Sequence, residues 1–269
     1  ISDPVVCLTV CLLIVIGGIG FFVWGDIIKN GIHFRRYSFH SKVVLTTTAS
    51  LIIAGWALFM AFEWNNPASI GNHSVGTKIL AALVMSICPR TAGFNTVSSG
   101  TLSGAGGMLA IVLMFIGGSP GSTAGGIKTT TIAVLIMSAI STSRRRTEAH
   151  IFKRRFEDDA LPLAGTVFFI YLSMVILCSM IISAIEAQSG FTTHQIVFEV
   201  VSAIGTVGLS CGPDAANPTL TGLLSSGSQL ILIFLMFLGR VGGFTLILVF
   251  TNERKPVTIS RVPDSLIIG

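Results

Sequence analysis

Charged residues are scarce in this sequence. Asp, Glu, Lys and Arg make up 11% of the 269 residues, whereas an ordinary soluble domain carries roughly 25%. Hydrophobic residues make up 51%, and the mean hydropathy is +0.82. Several apolar stretches reach the ~20 residues with which a helix spans a bilayer. The composition therefore excludes an ordinary soluble domain and indicates an integral membrane protein in contact with lipid.

Features of other protein classes are also missing. No stretch shows the strict alternation of polar and apolar residues that an outer-membrane barrel strand needs. The five cysteines are odd in number and lie mostly in apolar segments, so we expect no closed disulfide framework. The sequence contains no Ser/His/Asp or Cys/His constellation, and we therefore expect neither an enzyme nor a cofactor.

One stretch is similar to a phosphate-binding loop. Residues 121–129 read Gly-Ser-Thr-Ala-Gly-Gly-Ile-Lys-Thr. The motif requires Gly-Lys followed by Ser or Thr, directly after a strand. Here Ile127 separates the glycine from the lysine, and apolar spans flank the segment. We therefore expect no nucleotide to bind at this position.

Basic residues are concentrated in three stretches, which predict the topology. Residues 29–42 hold four Lys or Arg, residues 144–155 hold six and residues 254–261 hold three. Basic loops of membrane proteins favour the cytoplasmic side, so we expect a multi-pass plasma-membrane protein with a cytoplasmic C-terminus. The net charge of +5 reflects these loops, and we expect no nucleic-acid partner. The predicted external loops are residues 63–77, 186–194 and 212–225.

The order of apolar segments predicts an internal repeat. A span, a short apolar helix, a glycine-containing loop and a second span occur in residues 42–142 and again in residues 161–251. The short helices, at 75–88 and 192–204, are too short to cross a bilayer. The fold class is thus an all-α polytopic membrane protein of repeated span–pore-helix–filter-loop–span units. The remaining segments are a closing span of an earlier repeat (1–30), two cytoplasmic loops (31–41 and 143–160) and a cytoplasmic tail (252–269).

The two glycine-containing loops align with each other and predict an ion filter. Thr-Val-Gly at 206–208 is similar to the Thr-Val-Gly-Tyr-Gly loops of potassium channels, whose backbone carbonyls replace the hydration shell of the ion. We expect backbone carbonyls to bind potassium here too. The filter residues are Thr91, Ala92, Gly93 and Phe94 in the first loop, and Thr206, Val207, Gly208 and Leu209 in the second.

The segment 107–141 is too long for one straight span. At 1.5 Å per residue it would cover roughly 50 Å of a ~30 Å hydrocarbon core. Its middle, residues 117–126, holds five glycines and a proline, which predicts a broken helix. Non-helical backbone at this depth must line a pathway or be buried in protein. We predict a gate made of Gly117, Gly118, Ser119, Gly121, Gly125, Gly126, Lys128 and Arg240.

Two charged residues, Arg240 and Lys128, leave alternatives open. Arg240 lies in the last span, where a charge costs at least ~2.5–3.5 kcal/mol. It either lines the pathway or pairs with a buried carboxylate, for which Glu199 is the nearest candidate. Lys128 is either part of the gate or an anchor that extends to the membrane surface. Arg90 is expected to support the filter near the external surface.

Several motifs resemble the Trk/Ktr/HKT superfamily of potassium-uptake membrane subunits, in particular the bacterial Trk/Ktr type. They are residues 89–96, the glycine-rich stretch 117–129, residues 202–210 and Gly239-Arg240. The resemblance implies four repeats around one pore, a mobile intramembrane loop in the third repeat and an arginine below the filter. Gly93 and Gly208 would be the third and fourth filter glycines. It also implies a homodimer and a cytoplasmic nucleotide-binding ring as a separate regulatory subunit.

Two functions are therefore compared. The first is potassium transport through carbonyl filters. Because two loops cannot surround an ion, this function leads us to expect that the chain is the C-terminal part of a longer protein. The alternative is a secondary transporter that binds a small organic or anionic solute at the broken helix and Arg240. Parallel repeats and filters without recognition side chains favour the first.

Overall fold

Helices account for most of the structure, a computed structural model that describes residues 3–145, 150–152, 154–157, 159–213 and 219–242. The predicted helical fold class is confirmed. The predicted tail 252–269 and the end of the last predicted span lie outside the described residues. The described helices are α1 (Pro4–Gly18), α2 (Phe21–Asn30), α3 (Phe39–Glu63), α4 (Val75–Ile87), α5 (Gly104–Phe115), α6 (Thr129–Ser143), α7 (Ala160–Ile185), α8 (Thr193–Ile204) and α9 (Ser226–Val241).

Two successive units have the same order of elements. In each unit a long apolar helix, α3 or α7, is followed by a short helix, α4 or α8, and a loop. Only α3 and α7 among the described helices are singly long and apolar enough to cross a membrane. Helices α4 and α8 have 13 and 12 residues, about 20 Å at 1.5 Å per residue, so each ends inside the protein. Between the units, two-residue strands β1 (His150–Ile151) and β2 (Arg154–Arg155) pair in the basic loop.

The segment 1–30, predicted as the closing span of an earlier repeat, is bent. Helices α1 and α2 meet at an angle of 97°. Gly20 lies at the bend with φ of 85°, and a Cβ atom there would lie 2.5 Å from the Pro120 carbonyl oxygen. The Ser119 amide donates to the Gly18 carbonyl at 3.0 Å, and the Phe21 amide donates to the Gly121 carbonyl at 3.0 Å. The bend therefore depends on contacts with a distant loop.

That loop, residues 116–128, is the predicted break in 107–141, and its existence is confirmed. Helix α5 ends at Phe115 and α6 begins at Thr129. The Gly117 amide donates to the Ile127 carbonyl at 2.9 Å, and the Thr129 amide donates to the Gly118 carbonyl at 3.1 Å. The side chains of Ile127 and Thr129 are fully buried. We call this segment the glycine loop; its two ends pair with each other.

The two units pack through their middle helices. Helix α5 of the first unit packs on α8 of the second, and α8 packs on α9. Met114, Phe198 and Leu235 are fully buried there. A Cβ atom at Gly239 would lie 2.0 Å from the Ile204 carbonyl oxygen. Since only glycine allows this approach, α9 lies directly against the end of α8.

A buried carboxylate holds the start of the last helix of each unit. Glu63, at the end of α3, accepts hydrogen bonds from the Ser103 amide (2.9 Å) and hydroxyl (2.6 Å). Glu186, just after α7, accepts the same pair from Ser225 at 2.8 and 2.6 Å. Ser103 and Ser225 are the N-cap residues of α5 and α9. A carboxylate at a helix N-terminus is favoured by the helix dipole, so these contacts fix where each second span begins.

We predict that Glu186→Gln lowers the free energy of unfolding by about 2 kcal/mol, the scale of a hydrogen bond to a charged group. Hydrogen bonds from Ser225, Ser189 and Ser228 lower the Glu186 pKa to about 2. Because the folded-state pKa lies below the unfolded one, the stabilisation is fully present above pH ~5 and is lost as the pH falls towards 2.

Denaturation in detergent between about pH 2 and pH 8 measures this difference and its loss at low pH. Glu157→Gln, at an exposed position, is the matched control and should unfold like the wild type. A Glu186→Gln protein as stable as the wild type at pH 7 would show that the carboxylate does not hold α9.

Candidate ion pathway

The two predicted filter loops have the same backbone conformation. Thr91 and Thr206 have φ of 67° and 51°, and Gly93 and Gly208 have φ of 70° and 88°. Positive φ is uncommon for a β-branched residue and costs of order 1–3 kcal/mol, so it persists only where the surroundings enforce it. The shared alternation matches the alignment of the two loops.

Both loops are held by the helix that precedes them. The Ala92 amide donates to the Cys88 carbonyl at 3.2 Å, at the end of α4. The Thr206 amide donates to the Ala203 carbonyl, and the Val207 amide to the Ser202 carbonyl, both at 2.9 Å. The C-terminal ends of α4 and α8 carry the negative ends of their helix dipoles. The start of each loop is therefore a favourable place for a cation.

The loops also meet each other. A Cβ atom at Gly93 would lie 2.5 Å from the Val207 carbonyl oxygen, and one at Gly208 would lie 3.8 Å from the Gly93 Cα. The structure thus brings the two predicted glycines together, with the Val207 carbonyl directed at the first loop. Phe94 is 60% exposed, whereas Val207 and Leu209 are buried.

One predicted filter carbonyl has another partner. The Ser202 hydroxyl donates to the Leu209 carbonyl at 2.6 Å, and both groups are buried. This hydrogen bond directs the carbonyl to α8. Ion binding by the Leu209 carbonyl stays a prediction, and an ion there would compete with the Ser202 hydroxyl for the same oxygen.

The glycine loop lies directly against the start of the second filter loop. A Cβ atom at Gly125 would lie 2.2 Å from Thr206 Oγ1, and one at Gly126 would lie 3.4 Å from the Gly205 Cα. The Thr206 hydroxyl is buried and has no hydrogen-bond partner among the described residues. The two glycines allow the loop to approach the filter more closely than any residue with a side chain would.

Arg240 and Lys128 both contact the glycine loop. Arg240 Nη1 donates to the Thr123 carbonyl, and Lys128 Nζ donates to the Ala124 carbonyl at 2.6 Å. The structure does not pair Arg240 with Glu199, because the Glu199 carboxylate accepts hydrogen bonds from Ser210, Cys211 and Thr221 instead. The Lys128 amine is directed back to the loop, which does not fit an anchor extending to the membrane surface.

Arg90 lies beside the first filter loop. Its side chain is buried and lines a cavity with Thr91, Ala92 and Phe94. Its Nε has no hydrogen-bond partner among the described residues. The structure places it where the sequence predicted, next to the filter, and its supporting role stays a prediction.

Sequence reasoning missed the polar side chains behind the second filter loop. The sequence pattern offers Glu199 only as a partner for Arg240, and it indicates no separate role for Ser202 or Ser210. The available signal was a carboxylate within an otherwise apolar short helix, where an ionised group needs several donors.

These features define a class of protein: a helical membrane protein with repeated pore-helix and filter-loop units. The chain belongs to the TrkH family of cation transport proteins, whose family description matches residues 2–256. The resemblance seen in the sequence is thereby confirmed.

Named relatives agree with this assignment. The chain is 36% identical to the potassium/sodium uptake protein NtpJ of Enterococcus hirae, over 97% of this chain and 57% of that protein. It is 36% identical to the Ktr system potassium uptake protein B of Bacillus subtilis, over 98% of this chain and 56% of that protein. The crystal structure of the potassium transporter TrkH from Vibrio parahaemolyticus has the same fold, with a TM-score of 0.69 and 18% sequence identity. The match covers 93% of this chain and 53% of that one. The chain spans a little over half the length of these relatives.

We predict that Gly93→Ala is more destabilising than Gly208→Ala. Both positions have positive φ, which disfavours alanine by roughly 1–2 kcal/mol. At Gly93 the new methyl group would also collide with the Val207 carbonyl, whereas at Gly208 it has room. Thermal unfolding in detergent measures the difference.

Gly76→Ala is the matched control, because Gly76 lies in α4 with no atom within 4 Å of its Cβ position. We expect this variant to be at least as stable as the wild type. Equal losses at Gly93 and Gly208 would contradict the close contact between the two loops.

Proposed function

We propose that this chain forms part of a potassium pathway across the plasma membrane. One observation carries the proposal: two short helices end at loops of the same unusual conformation, and the loops contact each other at Gly93 and Gly208. Backbone carbonyls of such loops replace the hydration shell of a cation. Relatives named as potassium or potassium/sodium uptake proteins support the same ion class.

The glycine loop is the proposed gate. It contacts the α1–α2 bend through Ser119 and Gly121, the filter base through Gly125, and α9 through Arg240. A guanidinium below the filter repels a passing cation and also holds the loop by a hydrogen bond. Both effects oppose ion flow until the loop moves. In the alternative function Arg240 would bind the solute, but here one of its N–H groups donates to the Thr123 carbonyl of the glycine loop, which favours a role in holding the loop.

The assembly is proposed by analogy with the relatives. Several matched relatives are named as the potassium uptake protein of a Ktr system, which supports a separate regulatory subunit. We infer a homodimer in the membrane, a cytoplasmic C-terminus and a cytoplasmic nucleotide-binding ring that acts on the gate through α6. Exposed apolar side chains on α7 and α9, such as Phe169 and Phe237, suit contact with lipid.

The first test is potassium uptake. Expressed from its complete natural coding sequence, the protein should let a transport-deficient host grow at low potassium. Gly208→Ser should weaken the preference for potassium over sodium, because a Cβ atom disfavours the positive φ of this residue. Growth no better than that of the host without the protein would refute the proposal. An unchanged preference in Gly208→Ser would show that Gly208 is not a filter residue.

The second test concerns the gate. Arg240→Ala should raise potassium flux in proteoliposomes by up to roughly tenfold, since one hydrogen bond to a charged group is lost. Deleting residues from the glycine loop should also raise the potassium flux. Arg36→Ala removes an equal charge from an exposed cytoplasmic position and should leave flux unchanged. If Arg240→Ala and the shortened loop both transport like the wild type, the gate lies elsewhere.

A further inference from the structure

Glu199 is the acidic residue in the middle of α8, the helix that leads to the second filter loop. Its side chain is 5% exposed. One carboxylate oxygen, Oε1, accepts hydrogen bonds from the Cys211 amide at 2.9 Å and from the Ser210 hydroxyl. The other, Oε2, accepts from the Thr221 hydroxyl at 2.6 Å. The carboxylate therefore binds the chain on the outer side of the filter and the segment before α9 at the same time.

The contacts of Ser210 extend this network. Its hydroxyl oxygen also accepts a hydrogen bond from the Leu220 amide at 2.8 Å. Gln229 of α9 donates to the Thr221 carbonyl at 3.0 Å. Through Glu199 and Ser210, the outer part of the filter is thus connected to the beginning of the last span.

Ser202 provides a second attachment on the same face of α8, three residues from Glu199. It holds the Leu209 carbonyl, directly before the residues that Glu199 holds. The two side chains together fix Leu209, Ser210 and Cys211, which follow the filter glycine Gly208. The position of the Gly208 carbonyl depends on where this outer part lies.

The first filter loop has no equivalent carboxylate. Aligning Thr91 with Thr206 places Val84 at the position of Glu199. Val84 is buried in an apolar cluster with Ile87 and Cys88, against α1. Attachment by a carboxylate is therefore specific to the second loop among the described residues.

We propose that Glu199 is a positioning residue that sets the ion preference of the pathway by holding the outer part of the second filter loop. The inference rests on the proposed potassium function. The carbonyl spacing that suits potassium is wider than the spacing that suits sodium, and a loop released from Glu199 adapts to either ion. Loss of the carboxylate thus lowers the preference for potassium without closing the pathway.

The experiment compares potassium and sodium uptake in proteoliposomes of the complete protein. Glu199→Gln keeps the side-chain shape but loses the charge and one acceptor. The potassium-to-sodium ratio should fall on the order of tenfold, which corresponds to one hydrogen bond to a charged group. Ser210→Ala should lower the ratio in the same direction. The double variant should add little to Glu199→Gln, because both changes break one network.

Glu186→Gln is the matched control, since Glu186 is an equally buried carboxylate whose partners, Ser189, Ser225 and Ser228, lie outside the second filter loop. It should lower stability and leave the ratio unchanged. A wild type without potassium uptake would refute the proposed function itself. The role of Glu199 would be overturned if the wild type prefers potassium and a folded Glu199→Gln variant has the same potassium-to-sodium ratio. If Glu199→Gln does not fold, an unchanged ratio in both Ser210→Ala and Thr221→Val would overturn it instead.

Discussion

Backbone that leaves a helix at membrane depth must find hydrogen-bond partners inside the protein, because lipid offers none. The glycine loop meets this requirement through pairing of its own ends, at Gly117 and Ile127, and through the bend between α1 and α2. The bend in turn needs the loop, since Gly18 and Phe21 exchange hydrogen bonds with it. Two interruptions of helical structure thus satisfy each other.

The same constraint applies to the filter loops. Each begins with a threonine at positive φ and continues to a glycine at positive φ, and each depends on the end of a short helix for its first hydrogen bonds. Glycines without side chains let the glycine loop and the two filter loops come within contact distance. In the region that is proposed to conduct, backbone therefore packs directly against backbone, as at Gly93 and the Val207 carbonyl.

Three buried carboxylates, Glu63, Glu186 and Glu199, hold the segments that connect the helices of each unit. Glu63 and Glu186 hold the N-termini of α5 and α9 in equivalent ways, so they belong to the repeat. Glu199 has no counterpart in the first unit and binds the filter loop instead. Buried charges are costly unless several donors satisfy them, and each of these three carboxylates accepts at least three hydrogen bonds from nearby groups.

The sequence by itself determined the membrane class, the repeated order of long and short helices, the alignment of the two glycine-containing loops and the break in 107–141, because hydropathy, segment length and glycine content act locally. Only the tertiary structure decided the 97° bend after α1, the contact of Arg240 with Thr123, and the partners of Glu199. The bend follows from a loop about a hundred residues away in the chain. The partners of a buried charge likewise depend on how elements distant in the chain pack, and a local sequence pattern carries no information about this packing.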